Sequence, residues 1–484
     1  PHGFGLTLGP VNRVNDQGLP VLFVKDLPPK SDLKELAVKE PEIYYGEAPD
    51  SGYVFVKTHQ KEFNYPEGDT NIFSEYTGTG GLHLSSMYRR LLLSLHLRDM
   101  KMLLAEDFTP ETRILLVRNV VQRVNKIAPF LRYDRDPYMV IDQGRLFWIM
   151  DGYTLSKNYP YAEQVQNIGN YIRNPVKVVI DAKNGDVTFY LVTPDEPIVK
   201  AYTSMFPALF KPIASMPAGL RAHLRHPEDL FNLQASMYAT YHMLDVNTFY
   251  NKEDQWSVPV VGNKRMLPYY TVMKLPGEKK EEFILMLPLT PRSKDNLAAW
   301  MVARMDGEHY GKLIIYVFPK QRLIFGPKQM VARINQDPSV SQQITLWESS
   351  GSNVIRGTLL VIPIENSLIY VQPLYLRATD GKIPELKRVV VGYGNDIAMG
   401  EDLESALSQI FGSQRRTAAA AAVARSTPRP GTPAPQAPTS PGQSLARQAL
   451  GHYNAMLEAT RQGDWTRFGR EMDQLGKVLR ELAK

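Results

Sequence analysis

The side chains best suited to chemistry are His223 and His226, three residues apart, followed by Glu228, Asp229 and His242. Two imidazoles at that spacing share one helix face, and a carboxylate could complete a zinc or manganese sphere. Pro227 argues against it, because it places His226 at the start of a helix, turned away from His223. His223 and His226 are thus metal candidates by type, while the expectation is no bound metal and no cofactor. Asp134, Asp136 and Asp142 are the nearest carboxylate group, but Asp136 precedes Pro137 and Asp142 lies in a turn, both ordinary roles. Asp181 and Asp186 flank another turn. The run Gly78-Thr79-Gly80-Gly81 leads toward a helical segment, so Gly80 and Gly81 are candidates for cradling an anion on backbone N–H groups. A tight strand-to-helix turn accounts for the same glycines and is the preferred reading. No phosphate loop, zinc-protease helix, nucleophile elbow or acidic calcium loop occurs.

Charge narrows the partners. From residue 413 onward there are 11 Lys/Arg against 5 Asp/Glu, a net of +6 that equals the net charge of the whole chain. Residues 1–412 therefore balance to zero, which argues against a surface that tracks nucleic-acid phosphates. The absence of cysteine removes disulfides, thiolate metal sites and a Cys nucleophile, and suits an envelope compartment as well as a cytoplasm. No apolar run reaches the 18 or so residues that cross a bilayer. The chain opens Pro-His-Gly-Phe-Gly, without initiator Met or leader, which suggests a piece of a longer protein.

The elements that must position these residues read as α+β, with antiparallel sheets and hairpins interleaved with helices. Residues 1–80 are extended, with a strand over 53–58. Helical period follows over 82–128: Leu84, Met87, Leu91 and Leu95 form an expected buried stripe, and Thr109-Pro110-Glu111 reads as the start of a second helix. Strand pairs at 138–141 with 145–150 and at 176–181 with 187–192 enclose tight turns. Helix is expected over 220–243, strands over 283–287 and 313–318 with a helix at 296–305 between them, and helices over 327–347 broken at Pro338. Strands at 358–364, 368–376 and 388–391 and a helix over 401–411 close a body of residues 1–412, divisible near 200–220.

Residues 413–441 are rich in Ala, Pro, Thr, Ser, Gly and Arg, with no acidic or aromatic residue, and read as a flexible linker. Residues 442–484 read as a two-helix hairpin. Trp465, Phe468, Met472, Leu475 and Leu479 form a stripe too large for the partner helix to cover, so the hairpin is expected to dock on the body, an envelope protein or a second copy.

Several segments carry a resemblance. These are Gly3-Phe-Gly-Leu with Pro10-Val-Asn-Arg13-Val, Gly80-Gly81-Leu-His-Leu-Ser-Ser with Arg89-Arg90-Leu-Leu, and Arg132-Tyr-Asp134-Arg-Asp136-Pro-Tyr138. Further ones are Tyr171-Ile-Arg-Asn174-Pro-Val-Lys-Val-Val-Ile-Asp181-Ala, His223-Leu-Arg-His-Pro227-Glu-Asp-Leu-Phe231, Gln336-Asp-Pro338 and Gly351-Ser-Asn-Val-Ile-Arg356-Gly. Over 1–412 and the terminal hairpin the chain resembles the bacterial membrane proteins of uncharacterised protein family 0182. The resemblance implies N-terminal membrane spans outside this chain and a large extracytoplasmic region at the cell membrane. It names no catalytic residue. The expected role is non-catalytic binding or scaffolding at the envelope; the alternative is an envelope-acting enzyme with an unrecognised Asp/Glu/His site.

Overall fold

The computed structural model describes residues 3–412 apart from short gaps (12, 49–51, 322, 350–351, 365–366 and 379–383), residues 451, 452 and 455, and the helix Trp465–Leu482. Side chains of that last helix are described over 470–478. The chain divides into two compact units, Pro1–Gln414 and Arg415–Lys484.

The first unit is α+β. Its N-terminal sheet pairs β1 (Tyr53–Thr58) and β2 (Leu82–His83) with β3 (Phe108–Leu116), which lies between them. Helix α1 (Met87–Leu97) begins at Ser86, whose hydroxyl accepts the Arg89 N–H at 3.3 Å. The Thr-Pro-Glu signal at 109–111 does not start a helix. Thr109 and Thr112 instead donate their hydroxyls to the Lys57 carbonyl at 2.8 and 3.0 Å, stitching β3 to β1. The helix start lies ten residues further on, where Asn119 accepts the Gln122 N–H at 3.0 Å and caps α2 (Val120–Ile127).

The central sheet contains β4 (Arg132–Tyr133), β5 (Tyr138–Asp142), β6 (Arg145–Ser156), β7 (Tyr171–Asp181), β8 (Val187–Leu191) and β9 (Phe210–Pro212). Its order is β4-β6-β7-β8-β9, with β5 also on β6, and every pairing is antiparallel except β8 with β9. Both faces are covered. Met150, Val176, Val178 and Ile180 pack against α2 and α3 (Pro197–Met205); Ile149 and Val179 face Met216, Leu220 and Leu224 around α4 (Ala218–Ala222). This is the period of two expected of a strand, with both parities buried.

Helix α5 (Glu228–Tyr241) leads into a second sheet of β10 (Trp256–Ser257), β11 (Tyr269–Lys274), β12 (Glu281–Pro291), β13 (Ala299–Arg304) and β14 (Leu313–Val317). Phe231, Ala235 and Ala239 of α5 pack on Leu285, Leu287 and Met301. The helix expected over 296–305 is β13. All six of its residues are buried, so it shows neither alternation nor a helical stripe, and its place between β12 and β14 decides its form.

Helices α6 (Pro327–Gln336) and α7 (Pro338–Ser349) meet at Pro338, as the sequence suggests. They cover one face of a third sheet: β15 (Ser352–Arg356), β16 (Leu360–Ile364), β17 (Ser367–Ala378), β18 (Glu385–Tyr393) and β19 (Asp396–Gly400). A helix at 403–412 covers the other face through Ala406 and Ile410.

The expected linker, 413–441, lies outside the described residues, as do most of the first hairpin helix and the side chains of Trp465, Phe468 and Leu479. In the second unit His452 meets Glu471 at 2.8 Å, Met472 is exposed, Leu475 is half-buried and Val478 is buried. No described helix is long and apolar enough to cross a membrane.

Leu287 is fully buried between α5 and β13. Leu287→Ala is expected to lower the unfolding free energy by about 2–5 kcal/mol, read as a lower urea midpoint at unchanged slope.

Candidate functional site

The register that buries both faces of the central sheet also buries charge. In β7 the sequence Val176-Lys177-Val178-Val179-Ile180 puts Lys177 on the same parity as Val179, and in β6 Asp151 shares its parity with Ile149. Asp151 and Lys177 are direct cross-strand partners. Their side chains form an ion pair with Lys177 fully buried and Asp151 nearly so.

Three chain segments close around this pair. Lys177 Nζ donates to the Arg225 carbonyl at 3.2 Å and stands 5.3 Å from the Tyr310 ring centre; the Tyr310 hydroxyl donates to the same carbonyl at 3.3 Å. The Arg225 guanidinium lies over the Tyr138 ring at 3.9 Å and the Tyr270 ring at 5.0 Å, and pairs with Asp136 at 2.5 Å. Tyr138 and Tyr270 donate their hydroxyls to the carbonyls of His223 and His226, at 3.2 and 2.9 Å. Asp134 accepts the Tyr153 hydroxyl at 2.5 Å and the Asp136 N–H at 3.0 Å. The connection 223–227 is thereby held by β5, β7 and the second sheet together.

Burial and neighbouring charges act on these groups together. Burial alone would favour neutral Lys177, but the Asp151 carboxylate overrides it and holds the ammonium pKa above its usual value. A nucleophilic or basic lysine needs the opposite shift, so Lys177 is suited to structure rather than reaction. Burial raises the Asp134 pKa, partly offset by the Tyr153 hydrogen bond. Burial raises that of Glu228, helped by Asp136. His226 is pushed below its ordinary value by burial, opposed by its 2.9 Å contact to Gln234.

The two histidines do not converge. His223 is exposed, with Nδ1 2.7 Å from the Gly219 carbonyl, whereas His226 is buried and turned to Gln234. His242 stacks on Trp256 with ring centres 3.6 Å apart. Among the described residues no three His, Asp or Glu side chains are grouped to hold a metal ion. Asp229 pairs with Arg135, and Asp134 and Asp136 join the cluster. Asp181 caps its own turn, accepting the N–H groups of Lys183 and Asn184 at 2.8 Å, and pairs with Arg145.

The Gly80 N–H is engaged by the Tyr76 hydroxyl and the Thr79 N–H by Asn184 Oδ1, both at 2.9 Å. Arg113 accounts for the carbonyls, donating to Gly80 at 2.7 Å, Thr79 at 2.6 Å and Gly81 at 3.2 Å. The glycines lead into β2 and not directly into a helix. Gly81 has φ +80°, and a side chain there would meet the Ile114 carbonyl at 2.6 Å. At Gly80 it would meet the Asn184 carbonyl at 2.1 Å, so close packing accounts for both.

Sequence reasoning did not single out Lys177, Asp151, Arg225 or Tyr310. The legible signal was parity: a lysine in the buried register of an otherwise apolar strand. Among the described residues, surface hollows of about 680 Å³ beside Phe4–Thr7 and about 430 Å³ beside Tyr370 and Tyr393 lie away from the cluster.

Fold and cluster together define a large α+β body in which the buried Lys177 and Arg304 are each paired with carboxylates. The sequence model of the uncharacterised protein family UPF0182 matches residues 1–347, and the chain belongs to that family. A UPF0182 protein of Geobacter sp. (strain M21) is 52% identical over 484 residues, all of this chain and 53% of the relative. One from Geobacter sulfurreducens is 50% identical over 485 residues, covering 100% of this chain and 53% of the relative. One from Pelotomaculum thermopropionicum is 47% identical over 487 residues, covering 100% of this chain and 52% of the relative. The chain spans about half the length of these relatives.

Because the folded protein holds His226 below its ordinary 6.5, the unfolded chain binds more protons as pH falls through that value. Stability from this group is complete above pH 6.5 and declines below it, by at most about 1.4 kcal/mol per pH unit. His226→Gln is expected to flatten the wild-type decline between pH 7 and 5, measured by urea unfolding at each pH.

Proposed function

We propose that this chain is the extracytoplasmic portion of a bacterial integral membrane protein, with a binding or scaffolding role at the envelope rather than catalysis. The observation that carries the non-catalytic reading is that cations in and around the interior cluster are held by carboxylates. Lys177 is consumed by Asp151, Arg225 by Asp136, and the buried Arg304 by Glu282 and Glu278. A catalytic acid or base must reach a substrate, and Lys177 is fully buried, with its charge held by its partner. The neutral charge of residues 1–412 is compatible with a protein-binding surface and unfavourable to nucleic acid. The membrane context is supported by the family resemblance and by the additional length of the relatives, which leaves room for spanning segments outside this chain.

Tyr161 is fully exposed and offers a reporter position. In the full-length protein, Tyr161→Cys is expected to react with a membrane-impermeant maleimide in intact spheroplasts, above the unsubstituted background. Labelling that appears only after lysis would place this region in the cytoplasm and end the proposal.

A further inference from the structure

Helix α1 is turned inside out relative to the usual amphipathic pattern. Its inward side carries Arg90, Leu93, Ser94 and Leu97, of which Ser94 is the fully buried residue. Arg90 donates to the Leu84 carbonyl at 3.1 Å and lies over the Phe108 ring at 4.9 Å, while the buried Ser94 hydroxyl has no hydrogen-bond partner. The outward side holds Met87, Tyr88, Leu91, Leu92 and Leu95, between 41 and 69% exposed. Of the stripe expected to be buried, only Leu84 is; Met87, Leu91 and Leu95 face out. The adjoining short helix Lys101–Leu104 packs on α1 and adds exposed Leu104, with Met100 exposed just before it. An apolar row of this kind marks an interaction surface.

Charge identifies what covers it. Residues 85–98 contain Arg89, Arg90 and Arg98 and no acidic residue; Arg89, Arg98 and the following Lys101 are exposed. Of the carboxylates that follow in the sequence, Asp99 is turned onto the Tyr53 hydroxyl and the Lys101 N–H, Asp107 accepts from the Gln60 side chain at 3.2 Å, and Glu106 is exposed. Large apolar chains flanked by exposed basic residues are the composition that seats a helix in the headgroup boundary of an anionic bilayer. A second copy fits less well. Eleven residues of helix extend about 16 Å, and a face that short falls well below the roughly 800 Å² per partner of a stable interface.

We propose that the outward face of α1, with Met100 and Leu104, docks on an anionic lipid surface. This goes beyond the envelope role above and does not rest on it, since the contact belongs to the chain itself. The test is sedimentation of the 484-residue chain with vesicles of phosphatidylcholine, with or without phosphatidylglycerol to supply a negative surface. Binding to the anionic vesicles is expected, weakened by salt. Leu91→Ser with Leu95→Ser is expected to reduce it about tenfold or more, and Arg89→Glu with Arg98→Glu similarly. Because all four side chains are exposed, the melting temperatures should stay at the wild-type value, and that measurement guards against unfolding as the cause. Binding at the wild-type level by either variant, no preference for anionic vesicles, or a concentration-dependent dimer abolished by the serine pair would each overturn the proposal. The maleimide result is independent of all these outcomes, so failure of one reading does not disguise failure of the other.

Discussion

An ammonium group without solvent contact is tolerable only beside a carboxylate, and Lys177 meets that condition through the strand register that sets Asp151 opposite it. The pair then organises its surroundings. The Arg225 carbonyl accepts from both Lys177 and Tyr310, so the connection between α4 and α5 is fixed against the central sheet on one side and the second sheet on the other. Tyr138 and Tyr270 repeat the arrangement one step outward, each holding a carbonyl of the same connection while flanking the Arg225 guanidinium. Buried ionic groups contribute little net stability compared with apolar packing, but they penalise any register that separates them. Here they favour the one alignment of sheets in which each charge finds its partner.

Several segments that look distinctive in the sequence converge on this place. Residues 132–138, 171–181 and 223–231 are far apart in the chain, yet supply Asp134, Asp136, Tyr138, Lys177, Arg225 and His226 to one cluster. Of the residues that suggest chemistry by type, Asp134, Asp136 and His226 are gathered there by structural contacts, while the His223 side chain turns to the Gly219 carbonyl. The closing of backbone carbonyls by Tyr and Arg side chains recurs around Arg113 and the Gly78–Gly81 turn, where a glycine-rich loop is filled by its own neighbours.

The α+β class, the hairpins at Asp142–Arg145 and at Asp181–Val187, and the break at Pro338 were legible because turns and prolines act locally. The failures have non-local causes. Thr109-Pro110-Glu111 has the composition of a helix start, yet its hydroxyls are drawn to Lys57, a residue over fifty positions earlier. Residues 299–304 lack a period because both faces are covered. In α1 the spacing was helical as expected, but which side faces inward is decided by Arg90 over Phe108, a contact spacing cannot reveal. For the cluster, Asp134, Asp136 and His226 were visible as residue types. Lys177 and Asp151 were hidden among apolar neighbours, and only the pairing of β6 with β7 brings them together.

Whether the Lys177–Asp151 pair is a register lock and not a reactive centre is tested most directly by a double-mutant cycle in urea. Lys177→Met and Asp151→Leu, each leaving one buried charge uncompensated, should separately lower the unfolding free energy by about 3–5 kcal/mol. The double variant, which removes both charges, should be more stable than either single one. Singles that match the wild type, or a double variant that loses the full sum of the two, would contradict the account.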